Sequence, residues 1–149
     1  MSTTETMEFR LEVIVVPVSD VDRAKAFYTE KLGFNLDVDH RASETMRVVQ
    51  MTPPGSACSV TIGPSAMEPG SMKGLQLVVS DIRAARALLA ERGVEIGEVQ
   101  LFDRSGGRRP ARDDDDLDTA GFAFFTDPDG NAWALQQMAK RDNNEGGSK

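Results

Sequence analysis

The chain has 149 residues, 40% of them hydrophobic and 28% charged, with a formal net charge of −7, a single histidine (His40) and a single cysteine (Cys58). That length suits one ordinary domain with a core able to stand without staples, and the composition is that of a folded chain, not a disordered one. One His and one Cys exclude disulfide frameworks and zinc modules of sulfur and imidazole within a chain, the negative charge opposes nucleic acid and anionic membranes, and no apolar run reaches the roughly 18 to 20 residues of a membrane span.

Met1 to Phe9 is too polar for a signal peptide, and with the lone cysteine this leads to the expectation of a cytoplasmic protein. Residues 1–8 and 139–149 lack apolar periodicity and read as flexible tails around one domain, 9–138. The first apolar run, LEVIVVPV, predicts a strand ending before Ser19-Asp20. Ser19 or Asp20 is placed to accept the first free amides of a helix whose apolar groups recur at Val21, Ala24, Phe27 and Leu32. Gly33 follows, where a left-handed helix terminus favours a residue without Cβ. Three strand-like segments come next, near Asn35 to Asp39, Met46 to Thr52 and Cys58 to Ile62, the last two joined by the turn Pro53-Pro54-Gly55-Ser56.

The pattern then recurs. GLQLVV precedes Ser80-Asp81, a helix carries Ile82, Ala85, Leu88 and Leu89, and Gly93 closes it. Strand-like segments follow near Glu98 to Phe102, Gly121 to Thr126 and Ala132 to Gln137, with the turn Asp127-Pro128-Asp129-Gly130-Asn131 in the matching place. Asp20 and Asp81 are 61 residues apart and Gly33 and Gly93 are 60 apart, the mark of an internal duplication. The segment 103–120 has no counterpart in the first copy; with six Asp and four Arg it reads as an exposed, mobile excursion. It reads as a solvated charge run, with two alternatives: a lid whose Arg108, Arg109 or Arg112 closes on an anion, or a cation site on Asp113 to Asp116. The predicted fold is therefore α+β, two βαβββ modules in tandem (9–63 and 72–138). A four-stranded sheet covered by one helix leaves its other face open, and two such faces form a sheet-lined cleft.

PVSDVDRAKAFYTEKLGF opening the first module and FFTDPDGNAWALQQ ending the second resemble the vicinal oxygen chelate superfamily, which holds glyoxalase I, extradiol dioxygenases, fosfomycin-resistance enzymes and bleomycin-resistance binding proteins. The likeness identifies the fold well and the reaction poorly. It implies four metal ligands, one from the first and one from the last strand of each module. The first-strand position, seven residues before the helix-start Asp, selects Val13 and Gly74; the last-strand position, four beyond the turn Gly, selects Ser59 and Ala134. None brings an imidazole or carboxylate, so no metal and no cofactor is expected, and glyoxalase or dioxygenase activity is not. The resemblance also implies a homodimer.

The pleat points the same way. Val13, Ser59, Thr61, Gly74, Gln76, Ala134 and Gln136 share one parity, small and neutral, while Ile14, Val60, Ile62, Leu75, Leu77, Trp133 and Leu135 share the other, bulky and apolar. The first set leaves volume and a few uncharged hydrogen-bonding points, as small-molecule pockets do; packed against each other, the same residues would instead make a dry core. Arg47 and Gln50 lie on opposite parities of one strand, so one of them faces the cleft: Gln50 as a lining residue, or Arg47 as anchor for an acidic ligand. His40 reads as a solvated turn histidine, Cys58 as a small core residue, and Tyr28 as packed with its hydroxyl reaching the surface. The leading expectation is a metal-free binding protein for a small organic molecule. Its rivals are an enzyme of the same fold using Arg47, Gln50, His40 or a lid residue to polarise a carbonyl, and an accessory domain with a filled cleft.

Overall fold

The computed structural model describes residues 6–139, so most of the two tails lies outside it. The elements run β1 (Val13–Val15), α1 (Val21–Ala26, continued by a π-helical turn Phe27–Lys31), β2 (Asn35–Arg41), β3 (Arg47–Thr52) and β4 (Ser59–Ile62), then β5 (Leu75–Val79), α2 (Ile82–Glu91), β6 (Gln100–Phe102), β7 (Arg108–Pro110), β8 (Gly121–Thr126) and β9 (Ala132–Gln137). They form two sheets, β1-β4-β3-β2 and β5-β9-β8-β6-β7, each with one parallel pair, β1 with β4 and β5 with β9. The tandem βαβββ duplication is thus realised strand for strand, with β7 added to the second copy.

The duplication reaches down to single caps. Asp20 and Asp81 both take extended backbone angles (φ −135° and −138°) and accept the amides of Arg23 and Ala84, three residues on. Both helices end at glycines in the left-handed region, Gly33 at φ +80° and Gly93 at φ +92°.

The helix-covered sides of the two sheets share one core. Val16, Val49, Met51, Val60 and Ile62 of the first module join Phe125, Trp133 and Leu135 of the second through the aromatic hinge of Phe27, Tyr28 and Phe34. Tyr28 corrects a sequence expectation, because its hydroxyl is buried rather than at the surface. It donates to Asp127 Oδ2 at 2.7 Å and accepts from Trp133 Nε1 at 3.0 Å. The wider turn Phe27–Lys31, closed by the Leu32 amide on the Phe27 carbonyl, is part of this arrangement. The fully buried Asn131 completes the joint, donating to the Pro17 carbonyl at 2.9 Å and to Asp127 Oδ2 at 2.8 Å.

Two further segments differ from the sequence reading. β2 extends to Arg41 and so takes His40 into a strand, not a turn. Where the charge-rich stretch 103–120 suggests an open excursion, the chain forms a hairpin: β7 pairs with β6, Arg109 grips Asp115 through two bonds of 2.9 Å, and Leu117 is buried. No helix among the described residues is long and apolar enough to cross a membrane.

Candidate functional site

Strand register decides which side chains share the open faces. On the first sheet Val13 lies beside Ser59, Val15 beside Thr61, Thr61 beside Gln50, Gln50 beside Val38, and Val48 beside His40. On the second, Gln76 lies beside Ala134 and Ala134 beside Phe124, Val78 beside Gln136 and Gln136 beside Phe122, and Phe102 beside Arg108. The apolar members of these faces, Val13, Val15, Val38, Val48, Val78 and Phe124, remain between 38% and 43% exposed. Within the single chain, therefore, the two faces do not pack into a dry core.

Of the nine sequence-selected residues, seven fall into three groups. Gln50 and Thr61 face outward and make no side-chain hydrogen bond among the described residues, which leaves them available to a ligand. Ser59, Gln76 and Gln136 are on the face but already engaged. Ser59 Oγ is 2.7 Å from Thr52 Oγ1, which is itself bonded to Asp37; Gln76 donates to Gln136, which donates to the Thr119 carbonyl at 2.8 Å. Ala134 and Val13 contribute surface alone.

Arg47 belongs to neither open face. It sits on the helix side with Val49 and Met51, its guanidinium donating to both oxygens of Asp39 at 3.0 and 2.9 Å and to Asp22 at 2.8 Å. Its hydrogen bonds hold the Asp39 carboxyl far below the usual carboxylate range, with Lys25 adding to the effect. Of the two alternatives in that strand, Gln50 is the one that faces the expected cleft. Gly74 also shifts. It precedes β5 at φ +84°, and the residue beside Ala134, as Val13 is beside Ser59, is Gln76.

Sequence reasoning missed an aromatic cluster. Phe102, Phe122 and Phe124 gather on the open face of the second sheet with ring centroids 4.9 to 6.3 Å apart, and the Arg108 guanidinium lies 5.6 and 5.8 Å from the centres of Phe102 and Phe124. The signal was present: carrying parity across the turn 127–131, with Thr126 beside Ala132, puts Phe124 beside Ala134.

Two tandem βαβββ modules with uncovered sheet faces define the class of paired-module proteins to which the sequence motifs pointed. The chain belongs to the Glyoxalase/Bleomycin resistance protein/Dioxygenase superfamily, whose family model matches residues 10–135. Among solved structures it is similar to TnmS3, an antibiotic binding protein from Streptomyces sp. CB03234, at 32% identity and a TM-score of 0.68 over 90% of this chain and 99% of that one. A glyoxalase/bleomycin resistance protein from the same Streptomyces is 35% identical with a TM-score of 0.65, over 86% of this chain and 100% of that one. YetH of Bacillus subtilis (strain 168), itself uncharacterised, is 27% identical over 132 residues, 86% of this chain and 98% of its own length.

The metal that the superfamily implies does not fit this donor set. Val13, Gly74 and Ala134 carry no donor atom, Ser59 Oγ is tied to Thr52, and the Gln76 amide is tied to Gln136. Among the described residues no three His, Cys, Asp or Glu side chains are grouped to hold a metal ion.

Proposed function

We propose that this chain is a cytoplasmic binding protein that holds a small organic molecule against its uncovered sheet faces, without a metal and without converting it, and that a second copy supplies the opposing wall. The observation that carries this reading is the character of those faces: exposed valines and phenylalanines set among neutral, partly uncommitted hydrogen-bonding groups. It is supported by the similarity to an antibiotic binding protein and by the missing metal donors.

The test is a thermal-shift screen of natural-product antibiotics, run with and without EDTA, followed by mass spectrometry of the compound recovered from denatured complex. A ligand that binds only the folded state at one hundred times its Kd adds about 2.7 kcal/mol of stability. The expected outcome is a raised Tm indifferent to EDTA and a compound returned intact. Conversion of the compound, or binding that needs added metal, overturns the proposal.

A further inference from the structure

We infer that the molecule held on the second sheet is a planar, fused aromatic compound carrying an acidic group, the ring system lying on Phe102, Phe122 and Phe124 and the acid meeting Arg108; this rests on the binding reading above. Phe122 and Phe124 stand with their rings within 7° of parallel and 6.3 Å apart, and Phe102 presents its ring at a steep angle to both. Phe124 is exposed and the other two half-buried, so the cluster keeps solvent-reachable aromatic surface beside the Arg108 guanidinium that lies over Phe102 and Phe124. The aromatic residues of the helix side, Phe125 and Trp133, stack in the same way but are buried, so exposure is what separates the two pairs. A cluster of three partly exposed rings offers more aromatic surface than one ring can cover, which suits an extended, fused system making stacked and edge-to-face contacts.

Arg108 supplies the charge. Its neighbour Arg109 is neutralised by Asp115, and Arg47 by Asp22 and Asp39, but among the described residues Arg108 has no carboxylate partner. Every other paired strand position on this face is neutral. Resting on ring faces orients the guanidinium without satisfying its donors, which leaves its planar fork free for a carboxylate or ionised phenol.

Three probes separate the parts of the inference by titration calorimetry: 2-naphthoate, its neutral counterpart 2-naphthamide, and cyclohexanecarboxylate. 2-Naphthoate is expected to bind about fivefold or more tighter than either of the others. Arg108→Gln should abolish the preference for naphthoate over naphthamide, and Phe124→Leu should weaken both alike. Both side chains are on the surface, so unchanged melting of the variants shows that the fold is kept. Equal binding of naphthoate and naphthamide by the wild type, or a preference that survives Arg108→Gln, overturns the acidic part; equal binding of cyclohexanecarboxylate overturns the aromatic part. If a non-aromatic compound from the antibiotic screen raises Tm while no naphthalene binds, the ligand class is wrong and the binding reading stands. If nothing in either set binds, both fail.

Discussion

Tyr28 shows how much one polar atom in the core can decide. Its hydroxyl takes the only donor of Trp133 and gives its own to Asp127, and both rings are buried. Tyr28→Phe would leave the buried Trp133 N–H without a partner, so denaturant titration should find a loss of about 1–3 kcal/mol despite the near-identical volume. A variant as stable as wild type would mean that this joint contributes nothing. The sequence could not announce the contact, because Tyr28 and Asp127 are 99 residues apart and nothing local distinguishes a buried Tyr from one with a wet hydroxyl. Arg47 was undetermined for a related reason: parity placed it opposite Gln50, but only the positions of Asp22 and Asp39 show that the charge is spent.

The Arg109–Asp115 pair gives a pH dependence of stated sign. Hydrogen bonds from the Arg109 side chain, then from the Arg112 amide, lower the Asp115 carboxyl from 3.8 to about 2. A carboxylate depressed in the folded state stabilises fully above its unfolded value and loses that contribution as pH falls from 3.8 towards about 2. Arg109→Gln should therefore lower Tm at pH 6, and the gap to wild type should close as the melting buffer is taken from pH 4 down to pH 2. A gap that is constant over that range would assign the effect to packing instead.

At the scale of elements, whatever depends on spacing and local chemistry was legible: both caps, both closing glycines, and strands alternating between a bulky and a small face. What failed depended on pairing. Counting back from the helix-start Asp selected Gly74 as the equivalent of Val13, but the link from strand to helix is longer in the first module (16–20) than in the second (80–81), and register selects Gln76 instead. β7, Arg-Arg-Pro, has no apolar alternation and is a strand because β6 offers it an edge. Turns give a paired prediction at this scale. Gly55 (φ +88°) and Gly70 (φ +79°) are both left-handed, but a Cβ at Gly55 meets nothing, whereas at Gly70 it would run into the backbone carbonyl of Asp129 in the turn of the other module. Gly55→Ala should cost only the backbone strain, about 1–2 kcal/mol, and Gly70→Ala clearly more, since a backbone must move. Equal losses in urea denaturation would show that the contact between the linker and the 127–131 turn is slack.

At the scale of the molecule, one core and two bare faces pull in different directions. The helix sides of both modules are spent on each other, and among the described residues Val13, Val15 and Val78 stay exposed. Before β1, Met7, Phe9 and Leu11 alternate in sequence with charged residues and are 72%, 87% and 68% exposed, adding to the apolar side chains that the described residues leave uncovered. A second copy placing its own sheet opposite would cover that surface and leave the small and neutral positions as the cleft, which is why the proposed homodimer and the proposed ligand site stand or fall on related evidence. Phe9→Ser with Leu11→Ser tests the dimer without touching the residues assigned to the ligand. Light scattering should give twice the chain mass for wild type and the single mass for the double variant, with helix and sheet content by circular dichroism unchanged. A wild-type protein that runs at the single mass, with its sheet faces still reachable by 2-naphthoate, would instead show that one wall is enough to bind.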